Sequence, residues 1–215
     1  MAARAPGLDC EAFQAHWRFE HAGLAGQLPG LRSYVQNHAI LEHGRPLLPY
    51  PGFDACSELQ FDDLAAMDAA FSSELYRSAV VADEHSLIDK SRFVFLLSER
   101  RVLDDGDPGD GVKLLTLLRT CPGSTAERLR DVLGGPYREA VATARPLRHE
   151  QLLELPGAHE GRRPAACDAI DLLWFRTPEQ ALEFLRSAES DRAGLELAGV
   201  AFGTERLLTR TIGVV

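Results

Sequence analysis

A chain of 215 residues with 45% apolar and 26% charged residues can fill ordinary cores and suits two domains of about 100 residues. Its formal net charge of -9, from 23 Lys plus Arg against 32 Asp plus Glu, disfavours a nucleic-acid binder, which needs a basic footprint, and disfavours attraction to an acidic membrane surface. No apolar run approaches the ~18 residues of a membrane span, and no hydrophobic segment of a secretory signal opens the chain.

The four cysteines, Cys10, Cys56, Cys121 and Cys167, form no CxxC pair. They read as buried thiols in a cytoplasmic protein, and haem and iron–sulfur attachment motifs are absent.

In chain order, Asp9 is a helix N-cap, and Phe13, Trp17, Leu24 and Leu28 recur at helical spacing until Pro29-Gly30 stops the helix. Residues 31–41 read as a strand with Tyr34, Gln36 and His38 on one face and Ser33, Val35 and Asn37 on the other. The alternation does not settle which face meets the helices. A Gly/Pro loop over 42–52 carries His43 and Tyr50 and is long enough to wall a site. A strand over 53–61 follows, then a helix with the stripe Leu64, Met67, Phe71 and Leu75. A short helical or irregular piece holds Asp83, Glu84 and His85, and an apolar strand spans 91–98.

A Gly-, Pro- and Asp-rich linker over 101–111 separates the halves. The second half runs strand 112–119, a helix broken at Gly134-Gly135-Pro136, strand 147–155, strand 169–175, a helix opened by Thr177-Pro178, and a final strand over 205–212. Cys121-Pro122-Gly123 repeats the opening Ala5-Pro6-Gly7, 116 positions later, and the order of elements repeats with it. The opening strand of the first half is the exception, because only residues 2–5 are there to form it. It is vestigial, replaced by another segment at that edge, or preceded by further chain.

The reading is therefore an α+β chain of two ferredoxin-like domains, 1–100 and 112–215. Each has an antiparallel sheet with helices on one face. Packing the two bare sheet faces together would hide both. The short first strand leaves an edge that a second chain could cover, so a homodimer is expected.

The residues also carry a family likeness. Pro6-Gly7-Leu8, Phe13 through Arg18 with His16-Trp17, His21-Ala22, Leu28-Pro29-Gly30, Tyr34-Val35-Gln36-Asn37-His38, Gly52-Phe53-Asp54, Glu58-Leu59 and Asp83-Glu84 stand in one order. This half resembles the EthD-like members of the dimeric alpha+beta barrel superfamily. The second half matches only in layout, as a diverged copy would. The resemblance implies two ferredoxin-like units joined through their sheets as an internal counterpart of that dimer. It also implies a pocket between sheet and helices, and action on hydrophobic or aromatic small molecules. Relatives in the superfamily include cofactor-free monooxygenases, polyketide cyclases and decarboxylases, and others bind haem.

Chemistry is concentrated in the first copy. His21, four residues after Trp17, is the leading general base, because a neutral imidazole can take and return a phenolic or α-carbonyl proton near pH 7. Tyr34 could donate to an enolate oxygen, with His38 and Asn37 completing the catalytic set. Trp17, Asp54, Tyr50 and His85 are candidate substrate contacts. His16 and His21 lie five apart, more than a right angle round a regular helix, so they make no metal pair and His16 reads as a helix-surface or capping partner. Val132, Leu133 and Tyr137 replace His16, Trp17 and His21 in the second copy, which reads as architectural. The expectation is a cofactor-independent, metal-free enzyme acting by acid/base chemistry on an aromatic or polyketide-like molecule, as cyclase, monooxygenase or decarboxylase. The alternatives are a non-catalytic binding or accessory protein and a haem binder.

Overall fold

The computed structural model describes residues 1–203 and 205–215. The chain divides into two compact units, Met1–Val94 with Arg210–Val215, and Phe95–Thr209.

In the first unit, helix α1 (Cys10–His16) is capped by Asp9, whose carboxylate accepts from Ala12 N at 2.7 Å. It runs through a π-helical turn (Trp17–His21) into α2 (Ala22–Ala25). The Ala22 N–H reaches back five residues to the Trp17 carbonyl. Strand β1 (Ser33–Ala39) follows, then a small hairpin of β2 (Leu41–Glu42) and β3 (Arg45–Pro46), and strand β4 (Ala55–Gln60). β1 and β4 pair antiparallel with Asn37 opposite Cys56. After β4 come α3 (Leu64–Phe71), a second π-helical turn (Tyr76–Val80) and α4 (Val81–Leu87).

The piece holding Asp83 is thus a helix, packed in one cooperative run behind the π turn. Two apolar clusters seal this unit. One centres on Phe13, Trp17 and Leu87, the other on Leu28, Tyr34 and Val80.

In place of a first strand, residues 1–4 make isolated bridges and single backbone bonds. Ala2 bridges Ala55, Arg4 bridges Ile88, and Met1 and Val94 exchange backbone bonds of 2.8 and 3.0 Å. The expected strand over 91–98 does not form. Residues 90–92 make a 3₁₀ turn, and the strand is β5 (Ser98–Asp104), which takes in residues read as linker. The reason is pairing. β5 has a partner seven residues long in the second unit's own β7, whereas the backbone bonds of Val94, Phe95 and Leu97 are scattered, to Met1, Ala166 and Leu155.

In the second unit β6 (Val112–Thr120), α5 (Ala126–Gly134), α6 (Pro136–Ala142), β7 (Arg148–Glu154), β8 (Ala169–Phe175), α7 (Pro178–Phe184), α8 (Ala188–Glu196) and β9 (Ala201–Phe202) follow, with β10 (Arg206–Gly213), of which residues 206–209 belong to this unit. The sheet order is β10-β6-β8-β7-β5, antiparallel between neighbours, with β9 paired to the end of β6. Helix α8 escapes a sequence reading because its apolar stripe is thin. Only Ala193 is buried, and the start is marked by Ser187, whose hydroxyl accepts from Ser190 N.

Gly111 turns the chain into β6 with no room for a side chain. A Cβ there would meet the Phe175 carbonyl oxygen at 2.6 Å and the Pro108 carbonyl oxygen at 2.7 Å. Backbone cannot yield as a side chain can, so Gly111→Ala is expected to cost about 1–3 kcal/mol. Chemical denaturation of the two proteins checks this, and an unchanged midpoint would contradict it.

Candidate functional site

The first unit places its chemistry on the π turn and on one face of β1. An α-helix leaves residues five apart roughly 140° round its axis. The π turn, closed by bonds five residues long, brings them to one side. His16 and His21 therefore reach the same carboxylate. His16 Nε2 lies 2.6 Å from Asp83 Oδ1, and His21 Nδ1 lies 2.8 Å from Asp83 Oδ2. This corrects the expectation, drawn for a regular helix, that the two imidazoles diverge, while His16 does lie at the helix surface. A carboxylate accepts, so each imidazole donates to it. In its neutral form His21 then holds its proton on Nδ1 and a lone pair on Nε2. His21 and Asp83 side chains are each 11% exposed and His16 is 34% exposed, so the inner pair is shielded and the outer imidazole meets solvent.

The face of β1 that meets the π turn is the one bearing Tyr34, Gln36 and His38. Trp17 Nε1 donates to the Tyr34 hydroxyl at 3.1 Å, and Gln36 Nε2 donates to that hydroxyl at 2.9 Å and to the Trp17 carbonyl at 2.8 Å. Burial pushes the Tyr34 phenol above its ordinary value. His38 stacks on the Trp17 indole with ring centroids 4.4 Å apart, and its Nε2 lies 2.9 Å from Gln36 Oε1. Burial, and secondarily the Arg18 charge, push the His38 imidazole down to about 4.

A histidine lowered below its unfolded value of about 6.5 binds its proton more readily when the chain is unfolded. Stability is thus complete above about pH 6.5 and is lost as pH falls toward about 4. His38→Gln is expected to flatten that window in unfolding midpoints measured from pH 4 to 7. A slope as steep as the wild type would rule out His38 as its source.

The other named residues lie apart from this line. Asn37 is on the opposite face of β1, as strand alternation requires. There its amide donates to the Cys56 carbonyl at 2.9 Å and to Glu58 Oε1 at 2.7 Å. Asp54 is buried and accepts from Arg4 N at 2.9 Å and from the Tyr50 hydroxyl at 2.8 Å, with the Arg4 guanidinium on its other oxygen. Burial and Asp54 hold the Tyr50 phenol up at about 12, and the Arg92 guanidinium lies 5.9 Å from its ring centroid. This cluster fastens the loop before β4 to the N-terminal segment. His85 is exposed on α4.

The second unit has a closed counterpart. Asp171 Oδ2 accepts from the Tyr137 hydroxyl at 2.8 Å, and its Oδ1 lies 2.7 Å from His149 Nε2. Gln151 Nε2 donates to the Leu133 carbonyl at 3.0 Å. All four side chains are buried, and burial with the Asp171 charge raises the Tyr137 phenol well above its ordinary range. A cavity of about 170 Å³ in this unit is lined by Leu129, Arg130, Leu153, Glu154 and Asp168, among others.

Among the described residues no group of three or more His, Cys, Asp or Glu is placed to hold a metal ion. None of the four cysteines is in a disulfide, and Cys10, Cys56 and Cys167 are buried. No described helix is long and apolar enough to cross a membrane.

Sequence reasoning missed Asp83 as a partner and Gln36 as a connector. Asp83 stood in the family likeness, but nothing paired it with the two histidines, because a π turn is not written in local spacing. Gln36 was visible as the polar residue between Tyr34 and His38 on one strand face.

Comparison with known proteins agrees with this architecture. The model of the EthD domain matches residues 5–91. An anthrone oxidase-like protein of known structure superposes with a TM-score of 0.62 at 13% identity, covering 99% of this chain and 90% of that one. A proposed monooxygenase from Lactobacillus acidophilus NCFM superposes with a TM-score of 0.50 at 11% identity, covering 93% of this chain and 89% of that one. No curated protein matches the sequence. Identities this low speak to fold alone. An EthD-like domain therefore occupies residues 5–91 of an α+β chain.

Proposed function

We propose that the first unit is the acting part of a cofactor-independent enzyme for an aromatic or polyketide-like small molecule, with His21 as general base and Asp83 as the residue that orients it. The observation that carries this reading is the 2.8 Å pairing of Asp83 with His21 Nδ1, which leaves Nε2 as the basic atom. The fold neighbour described as anthrone oxidase-like suggests the substrate chemistry. An anthrone has an acidic CH₂ between two rings and a carbonyl that can take up the charge. Its C–H proton passes to His21 Nε2, the bond's electron pair moves to the carbonyl oxygen, and Asp83 sits against the imidazolium that forms. With dioxygen as oxidant the CH₂ becomes a second carbonyl, one oxygen atom is kept and the other leaves as water. The same base would serve a cyclisation or a decarboxylation of a related carbon acid.

The second unit is, on this reading, a diverged and architectural copy. Its support is the repeated connection from strand to helix. Gln36 donates to the carbonyl of Trp17, and Gln151 donates to the carbonyl of Leu133, the residue that replaces Trp17. The testing experiment is dioxygen uptake and anthraquinone formation from anthrone by wild type and His21→Ala. Loss of turnover in the folded variant supports the base. No turnover by wild type, with anthrone or with polyketide carbon acids, would remove the enzyme reading.

A further inference from the structure

The buried line of β1 ends in an acceptor that the protein does not use. A backbone carbonyl only accepts, so the 2.8 Å contact between Gln36 Nε2 and the Trp17 carbonyl fixes the Gln36 amide with its NH₂ toward the helix. Gln36 Oε1 then faces His38 Nε2 at 2.9 Å, and His38 must donate there. The neutral imidazole consequently carries its lone pair on Nδ1. That atom has no hydrogen-bond partner among the described residues, although the residue is only 6% exposed. It is also absent from the sealed polar atoms that lack a partner, so it reaches accessible surface.

The rest of the chain is closed. The Tyr34 hydroxyl takes bonds from both Trp17 and Gln36, and the imidazole is clamped against the indole face. The ring cannot turn without breaking its bond to Gln36, and Gln36 cannot flip without losing its bond to the Trp17 carbonyl.

We propose that His38 Nδ1 is a recognition point for a hydroxyl donor, and that the ligand of the first unit is a phenol bound in its neutral form. This rests on the reading of that unit as a binder of aromatic small molecules, and it adds which functional group the molecule carries. A lone pair held in a shielded place accepts an O–H and repels a phenolate or carboxylate oxygen. An ether at the same position leaves the acceptor unpaired. The low basicity of the ring keeps it in this form through the neutral range. His38 is a binding residue here and exchanges no proton with the ligand.

The experiment is a binding cycle without turnover. The dissociation constants of 2-naphthol and 2-methoxynaphthalene are measured by calorimetry on wild type, His38→Phe and His38→Gln. Wild type is expected to prefer the naphthol by about tenfold, and His38→Phe to bring the ratio near one. A second measurement uses unmodified protein labelled with ¹⁵N at histidine. The His38 Nδ1 signal should stand in the unprotonated range and move on adding naphthol but not the ether. An unchanged ratio in a folded His38 variant, a protonated Nδ1 in the free protein, or failure of both compounds to bind would each overturn the proposal. Because turnover is not read, an inactive enzyme with an intact ratio would reject the base role of His21 and leave this site standing.

Discussion

Turnover of a carbon acid such as anthrone is expected to fall by roughly 10² to 10⁴ when His21 is replaced by alanine, with the fold retained. The fold should survive because Asp83 keeps its second partner, His16, on the other oxygen. Asp83→Asn tests the orienting role separately. An amide facing His21 Nδ1 with its NH₂ forces the imidazole to carry its proton on Nε2, where a base needs a lone pair. A loss of similar size is therefore expected although no base has been removed. His21→Gly with added imidazole should recover part of the rate, which a purely structural histidine would not do. Wild-type rates in folded His21→Ala and Asp83→Asn would take this pair out of the mechanism and leave it as a pin between the π turn and α4.

In the second unit the largest effect should be on stability. Asp171 gathers the Tyr137 hydroxyl and the His149 imidazole, all three nearly without exposure. Asp171→Ala strips the Tyr137 hydroxyl and the His149 imidazole of their acceptor at once, while Gln151 keeps the Leu133 carbonyl. Each buried group left unsatisfied costs about 1–3 kcal/mol, so a loss of about 3 kcal/mol is expected. In a chain of this length that corresponds to a fall in Tm on the order of 10 °C. Turnover per folded molecule should stay near wild type. Asp171→Asn, which keeps one acceptor, should lose less. A melting point unmoved by Asp171→Ala would show that water replaces the carboxylate. A turnover loss exceeding that of His21→Ala would place the chemistry in the second unit.

Much of the order of elements was written in local sequence, because caps, strand alternation and Gly/Pro breaks act over a few residues. Asp9 and Thr177 each cap the helix they were read to cap, and the break at Gly134-Gly135-Pro136 separates α5 from α6. The likeness of the first half to EthD domains was legible too, since it rests on residue identities in sequence order.

Partner choice was not legible. Residues 93–97 are more apolar than Ser98–Asp104, yet the latter form the strand because β7 offers them a long edge. The outward or inward sense of β1 depended on what packs on it, since one face offered Tyr34, Gln36 and His38 and the other a single large apolar residue. Trp17 and its carbonyl decided it, by satisfying the polar line.

The candidate site shows the same division. By itself the sequence determined that His16, Trp17 and His21 stand in one helical run and that Tyr34, Gln36 and His38 alternate along one strand. Only the tertiary structure decided that His16 and His21 share Asp83. That sharing depends on one residue of extra helical winding and on a carboxylate arriving from a helix more than sixty positions away, and neither leaves a period in the local sequence.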